Sequence, residues 1–160
     1  MYQEQGFENL MTFDMGGTST DVSLVKNGVA EQSRETSVGD VTVRASSVDV
    51  RTVGAGGGSI AYADPGGGFR VGPQSAGAVP GPAAYGQGGQ QPTVTDANVV
   101  LGRLDKDYFL GGEMSLDEQA AEQVITSLAS DLGLDVPTTA DGILTLVTAN
   151  MANAIRSRTV

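Results

Sequence analysis

A glycine-dense segment between residues 54 and 89 is the feature that most restricts how this 160-residue chain can fold. Thirteen of these 36 residues are glycine, and four prolines lie among them. Such a composition is also typical of a flexible linker. Two short apolar runs, residues 60–62 and 69–71, interrupt the glycines, and they predict a hairpin across residues 64–68. We therefore interpret the segment as packed loops that contact a ligand rather than as a spacer.

The residues before this segment favour β-strands. Between residues 10 and 53, short runs of apolar residues alternate with polar ones, which is the period of a half-buried strand. Asn27-Gly28 is typical of a two-residue hairpin turn.

The residues after it favour helices. Thr95 or Asp96 could be the N-cap of a short helix that extends through Leu104; as an alternative, Asp96 and Asn98 could approach a substrate or a metal ion. Further helix signals are a capping box of Ser115 with Glu118, a stop at Gly133, a helix start at Pro137 and an apolar stripe formed by Ile143, Val147, Met151 and Ile155. If this stripe is exposed, it favours oligomerisation.

These patterns together predict an α/β fold. We expect one mixed β-sheet from residues 10–72, with the helices after residue 95 packed on it. Residues 1–160 would form a single partial domain, with a β-rich and glycine-rich part (1–92) and a helical part (93–160). No internal repeat is visible.

Composition and charge exclude several classes of function. The chain has no cysteine and no histidine. It therefore has no thiolate nucleophile, and no imidazole that could be a general base or bind a metal ion. Its formal charge of -10 disfavours nucleic acid and an anionic membrane surface as partners. No apolar run approaches the length of a membrane-spanning helix. We expect a cytoplasmic protein with no nucleic acid or membrane partner.

Residues 14–21, Asp-Met-Gly-Gly-Thr-Ser-Thr-Asp, are the first motif that could carry chemistry. They lie between two predicted strands, and glycines let backbone amides approach an anion closely. The motif is neither a Walker A loop nor a dinucleotide fingerprint. Asp14 could hold Mg²⁺; an ordinary hairpin turn is the alternative. The candidate phosphate-binding residues are Gly16, Gly17, Thr18, Ser19 and Thr20.

A second group of candidate residues lies at the start of the glycine-dense segment and just before it. Asp49 and Arg51 lie on a predicted strand that leads into residues 54–58. Arg51 could hold a phosphate or carboxylate with two hydrogen bonds, or it could form a surface ion pair with Asp49 or Asp64. Asp49 could bind a metal ion or substrate, or it could be an ordinary polar strand residue.

Residues 14–21 resemble the phosphate hairpin of the acetate and sugar kinase/Hsp70/actin superfamily. More narrowly, the chain is similar to the hydantoinase A/5-oxoprolinase family, which includes N-methylhydantoinases and acetone carboxylase subunits. The resemblance covers nearly the whole chain and is weakest over residues 105–145. The other segments that carry it are residues 48–61, 70–77, 80–86, 92–104 and 149–156.

The resemblance implies that the chain is a piece of a longer protein. Family chains are several times longer, with a first phosphate hairpin near their N-terminus and an adenosine-binding segment after the point that corresponds to Val160. We therefore expect a piece of the second lobe, with a ribonuclease H-like (actin-like ATPase) fold. We expect the isolated 160 residues to be inactive.

The resemblance also implies an activity. A family enzyme would use ATP to phosphorylate a carbonyl oxygen and so open a cyclic amide such as hydantoin or 5-oxoproline. An acetone-carboxylase-type subunit and a non-catalytic scaffold or interaction module are the alternatives. The expected cofactors are ATP and Mg²⁺ or Mn²⁺. The expected partners are a cyclic amide or ketone substrate, a hydantoinase B-type subunit and a further copy of the chain.

The same resemblance assigns roles to the candidate residues. Asp14 and Asp49 would be metal ligands, and Asp21 would support the hairpin or assist. Asp49, Arg51 and the turn at residues 54–58 would face the substrate. The catalytic set is therefore Asp14, Asp21, Asp49 and Arg51. The nucleotide-binding set is Gly16, Gly17, Thr18, Ser19 and Thr20 with Gly56 and Gly57.

Overall fold

A computed structural model describes residues 6–38 and 40–159. In this part of the chain, ten strands precede three α-helices. The strands are β1 (Leu10–Met15), β2 (Thr20–Lys26), β3 (Val29–Ala30), β4 (Gln32–Ser33), β5 (Thr36–Val38), β6 (Val41–Val43), β7 (Ser47–Val48), β8 (Val50–Val53), β9 (Ser59–Ala63) and β10 (Phe69–Ser75). The helices are α1 (Val94–Val100), α2 (Glu118–Leu132) and α3 (Val136–Thr159).

The described strands form four sheets instead of the one mixed sheet that the sequence predicted. The largest sheet contains β1, β2 and β3, with β8 also paired to β2; β9 pairs with β10, β4 with β7, and β5 with β6. All of these pairs are antiparallel. Parallel pairing needs a crossover of a dozen or more residues, and most connections between consecutive strands here are too short for one.

Both predicted hairpins are present. At the Asn27-Gly28 turn, φ is 51° and 74°, which is the conformation that a two-residue turn requires. In the β9–β10 hairpin, one carboxylate oxygen of Asp64 accepts from the amides of Gly66 (2.9 Å) and Gly68 (2.8 Å), and the other accepts from Nε of Arg70 (2.9 Å). The glycines in this turn are therefore held in place by a side chain, and this part of the dense segment is not a flexible linker.

The structure corrects two predicted helix caps. The N-cap of α1 is Thr93, which forms a capping box with Asp96. The N-cap of α2 is Asp117, whose side chain accepts from the amide of Ala120, and not Ser115. The prediction that α2 ends at Gly133 is confirmed, since this residue has a left-handed φ of 67°.

Asp96 also joins α1 to the glycine-dense segment. Its Oδ1 accepts from the amide of Ala84 (2.8 Å), and its Oδ2 accepts from the amide (2.9 Å) and hydroxyl (2.7 Å) of Thr93. The side chain is fully buried, and burial raises the pKa of this carboxyl although the hydrogen bonds act to lower it. Asn98 donates to the carbonyl of Val94 within the same helix. Both side chains therefore have structural partners.

The apolar stripe of α3 faces the interior. Ile143, Val147 and Met151 are buried in the main core cluster, against residues from β9, β10, α1 and α2. Ile155 is partly exposed. Three residues of the stripe therefore pack within the chain, so the exposed stripe that would favour oligomerisation is not present at these positions. No described helix is both long enough and apolar enough to cross a membrane.

We expect Asp96→Ala to destabilise the chain by about 2–4 kcal/mol, because buried amide and hydroxyl donors lose their acceptor. Asp117→Ala, which removes an exposed cap, should cost about 1 kcal/mol. Urea-induced unfolding of the 160-residue chain measures both. Equal losses in the two variants would contradict the role of Asp96 as a buried connection.

The Asp64 carboxylate should make stability depend on pH. The Arg70 hydrogen bond, with the amide of Gly68, lowers its pKa below 3.8, so its contribution is present above that pH and is lost as pH falls through the folded-state pKa. Asp64→Asn should therefore unfold at lower urea than the wild type at pH 5, and the difference should shrink towards pH 3. A difference that stays constant over this range would contradict the assignment.

Candidate functional site

Residues 14–21 form the hairpin between β1 and β2. The amide of Gly16 donates to the carbonyl of Ser19 (2.8 Å) and closes the turn. Gly17 and Thr18 are exposed at its tip, and Ser19 is partly exposed. Among the described residues, the amides of Gly17, Thr18 and Ser19 donate to no carbonyl or side chain. The turn therefore presents three neighbouring amides with two hydroxyl groups.

Gly17 is a glycine that the fold itself does not require. A Cβ atom at this position would meet nothing within 4 Å, and Gly17 is not among the glycines with positive φ. Backbone strain and internal packing are therefore not the reason for a glycine here. A missing side chain in open space beside unbonded amides leaves room for an anion to reach the backbone.

The two aspartates of the motif face each other across the hairpin. Asp14 in β1 is the register partner of Asp21 in β2, so the two side chains lie on the same face of the sheet. On the other side of β2, Thr52 in β8 is the register partner of Asp21, and its hydroxyl donates to Oδ1 of Asp21 at 2.6 Å. Two carboxylates and one hydroxyl thus form a row across three adjacent strands.

The glycine-dense segment holds this turn through backbone hydrogen bonds. The amide of Gly57 donates to the carbonyl of Gly16 (3.1 Å), and the amide of Gly58 donates to the carbonyl of Gly17 (2.6 Å). A Cβ at Gly56 would lie 2.6 Å from the carbonyl oxygen of Gly16 and 2.8 Å from that of Gly17. A glycine is therefore required at position 56, because the two backbones touch.

This contact corrects the predicted roles of Gly56 and Gly57 as nucleotide ligands. The Gly57 amide is used by the hairpin, and the amide of Gly56 donates to the hydroxyl of Ser59 at 2.9 Å. The two residues hold the turn in place and have no free amide for a ligand. Thr20 is corrected in the same way: its side chain is buried, and its hydroxyl donates to the carbonyl of Ala55 at 2.5 Å.

Thr95 and Ser75 also lie at this place, although the sequence did not assign them to the site. Thr95 at the start of α1 donates its amide (2.8 Å) and its hydroxyl (2.9 Å) to the carbonyl of Gly57. Ser75 at the end of β10 lies with its hydroxyl 3.5 Å from that of Thr18, while it accepts from the amide of Gly77 at 3.1 Å. No local pattern signals these contacts, because they join residues that are far apart in sequence.

Asp49 lies away from the Asp14–Asp21 pair. Asp49 lies just before β8, and its amide donates to the carbonyl of Glu31. Asp14 is in β1, on the opposite side of β2. Two strand spacings and three residues of strand separate the two backbones, about 14 Å. This separation does not favour one metal ion shared by Asp14 and Asp49, and their metal-binding roles stay predictions. The described residues contain no cluster of three or more acidic side chains suited to a metal ion.

Arg51 is also outside the row of carboxylates. It is the register partner of Val22, one residue from the Asp21–Thr52 pair, so its side chain lies on the opposite face of the sheet. Asp64 does not pair with it, since that carboxylate binds Arg70. Of the predicted catalytic set, the structure brings together Asp14 and Asp21 and separates Asp49 and Arg51 from them.

Comparison with known proteins shows the family of the chain. Residues 1–160 match the family described as hydantoinase/oxoprolinase over their whole length. The chain belongs to the hydantoinase/oxoprolinase family. The family resemblance that the motifs indicated is thereby confirmed.

Members of the hydantoinase/oxoprolinase family with curated names are similar to the chain. It is 47% identical over 155 residues to the caprolactamase subunit alpha of Pseudomonas jessenii, covering 96% of this chain and 22% of that one. It is 51% identical over 100 residues to 5-oxoprolinase of Saccharomyces cerevisiae, covering 62% of this chain and 8% of the enzyme. The chain thus spans less than a quarter of each of these relatives.

Solved structures of the same group share the fold. The nucleotide-free structure of acetone carboxylase, from a study of ATP-dependent acetone carboxylation, matches 98% of this chain and 22% of its own, with a TM-score of 0.87 and 32% identity. The ATP-dependent caprolactamase from P. jessenii matches with a TM-score of 0.86 and 46% identity over 97% of this chain and 23% of its own. The predicted α/β class is confirmed, and the match is consistent with an actin-like lobe.

We expect Gly56→Ala to destabilise the chain by about 1–3 kcal/mol, since the new methyl group would overlap the backbone of the hairpin. Gly17→Ala is the matched control: its methyl group meets open space, and the unfolding free energy should change by less than about 1 kcal/mol. Urea-induced unfolding measures both variants. Equal effects would contradict the close backbone approach at Gly56.

Proposed function

We propose that this chain is the part of an ATP-dependent cyclic amide hydrolase that holds one phosphate-binding hairpin. The observation that carries the proposal is the turn at residues 16–19, with its unbonded amides and the open space at Gly17. The ATP-dependent caprolactamase and the 5-oxoprolinase among the relatives support the reaction class. Since the chain spans only part of those proteins, the substrate pocket and the second phosphate contact would come from other segments.

In this proposal, the amides of Gly17, Thr18 and Ser19 donate to phosphate oxygens of ATP. The hydroxyl groups of Thr18 and Ser19 can add further donors. Gly16 closes the turn, and Gly56 and Gly57 with Thr20 hold it against the core. Because amides fixed in this way need no rearrangement when phosphate binds, they suit the charge stabilisation that phosphoryl transfer requires.

The Asp14–Asp21 pair would face a divalent cation beside the phosphates. Like charges directly opposite each other on a sheet destabilise it, and a cation between them would reverse that effect. Carboxylate oxygens are the ligands that Mg²⁺ and Mn²⁺ prefer, usually one or two with water and phosphate oxygens. Two carboxylates therefore fit Mg²⁺ or Mn²⁺ bound together with ATP. When bound, the ion would neutralise developing phosphate charge.

The chemical outcome would be activation of the substrate amide. Transfer of the γ-phosphoryl group of ATP to the amide carbonyl oxygen would release ADP and activate the carbonyl carbon. Water would then add to that carbon, and the C–N bond would break as the nitrogen takes a proton, which opens the ring. A second water would release phosphate from the resulting acyl phosphate. The protein would contribute mainly positioning and charge neutralisation.

Carboxylation of a ketone is a second candidate, supported by the TM-score of 0.87 to acetone carboxylase. A B-type subunit as partner, assembly with a further copy and a cytoplasmic location remain proposals from the family resemblance.

We expect Asp14→Ala in the full-length protein to abolish ATP turnover, with a fall of at least about a hundredfold, because the carboxylate that faces Asp21 is lost. Asp131→Ala, which removes an exposed aspartate of α2, is the control and should leave turnover unchanged. Release of ADP in the presence of candidate lactams measures the effect. Unchanged turnover in Asp14→Ala would overturn the assignment.

The Gly17→Ala variant distinguishes an effect on nucleotide binding from an effect on folding. The added methyl group would stand where we place the phosphate, so nucleotide binding should weaken while stability is retained. Calorimetric titration of the full-length protein with Mg-ATP and Mg-ADP measures this. Wild-type affinity in Gly17→Ala would contradict phosphate binding at the turn.

A further inference from the structure

We propose that Thr52 is a positioning residue that holds the Asp21 carboxylate beside the phosphate-binding turn. This inference rests on the proposed function, since it concerns how the carboxylate row is organised. Thr52 was not among the residues that the sequence singled out. It emerges from the pairing of β8 with β2, which places its side chain next to Asp21.

The hydroxyl of Thr52 donates its hydrogen bond to Asp21. A threonine hydroxyl has one proton to donate, and here it goes to Oδ1 of Asp21 over 2.6 Å, a short hydrogen bond of the charge-assisted kind. No other described residue donates to Asp21. The second carboxylate oxygen of Asp21 is thus left available on the face that it shares with Asp14.

The two aspartates therefore differ although they occupy equivalent places in the hairpin. Asp14 lies on the outer strand β1, and no described residue donates a hydrogen bond to its side chain. Asp21 lies on the central strand and has Thr52 on its other side. Thr52 reduces the rotational freedom of Asp21 and partly offsets the repulsion between the two carboxylates, so a cation would meet one fixed and one adaptable ligand.

A purely structural role for Thr52 would appear as a loss of stability without a change in metal affinity. Thr52 is exposed and Asp21 is partly exposed, and a hydrogen bond at such a site adds little to stability. The same sheet face contains a comparable pair two residues along β2: Thr12 and Ser23, whose hydroxyl oxygens are 2.7 Å apart. That pair contacts no carboxylate and therefore supplies a matched control.

The test compares Thr52→Val, Thr52→Ser and Thr12→Val in the full-length protein. Valine has the shape of threonine without its hydroxyl, and serine restores the donor. The direct readout is the affinity for Mn²⁺ in the presence of ADP, measured by electron paramagnetic resonance. The second readout is the Mg²⁺ concentration that gives half-maximal ATP turnover, and thermal unfolding of each variant reports on stability.

We expect Thr52→Val to weaken Mn²⁺ binding about tenfold, the effect typical of removing a partner of a metal-binding carboxylate, with a matching shift in the Mg²⁺ dependence. Thr52→Ser should restore both, and Thr12→Val should leave both unchanged. Wild-type Mn²⁺ affinity in Thr52→Val, or an equal loss in Thr12→Val, would overturn the role of Thr52.

Asp14→Ala, measured in the same series, distinguishes this inference from the proposed function. If Asp14→Ala keeps its Mn²⁺ affinity and turnover, the proposed site fails, and the role of Thr52 fails with it. If Asp14→Ala loses both while Thr52→Val behaves as the wild type, only the assignment of Thr52 is wrong.

Discussion

Two backbone hydrogen bonds organise this structure: the amides of Gly57 and Gly58 donate to the carbonyls of Gly16 and Gly17. They join the glycine-dense segment to the tip of the β1–β2 hairpin. The contact is possible only because position 56 has no side chain, since a Cβ there would overlap both carbonyl groups. The carbonyls of Gly16 and Gly17 thus have partners in the glycine-dense segment, while the amides of Gly17, Thr18 and Ser19 donate to no described residue. The polarity of the turn, which suits an anion, follows from this contact.

The same contact connects the site to the hydrophobic core. The carbonyl of Gly57 accepts two hydrogen bonds from Thr95 at the start of α1, and α1 is attached through Asp96 to Ala84 in the later glycine-rich residues. Helix α3 covers the core with residues such as Ile143. The exposed turn therefore sits on a packed base, and such support gives an exposed loop a defined geometry for phosphate.

Local signals in the sequence predicted much of the fold. The Asn27-Gly28 turn, the hairpin over residues 64–68 and the end of α2 at Gly133 all depend on neighbouring residues, so they could be predicted from a short window. Caps were less predictable: α2 begins after Asp117, although Ser115 with Glu118 satisfies the capping-box pattern equally well. Whether α3 faced the core or a partner could not be decided from its stripe, because periodicity shows a face but not what covers it.

The sequence by itself determined the family, the α/β class and the hairpin with its two aspartates, because these depend on motifs and periodicities that are visible along the chain. Only the tertiary structure decided which candidates share a site. Strand register placed Thr52 beside Asp21 and Arg51 on the other face, and the order of strands separated Asp49 from Asp14. The use of Gly56, Gly57 and Thr20 as supports was likewise visible only in the fold. These outcomes depend on pairing between residues about 30 or more positions apart, which no local pattern encodes.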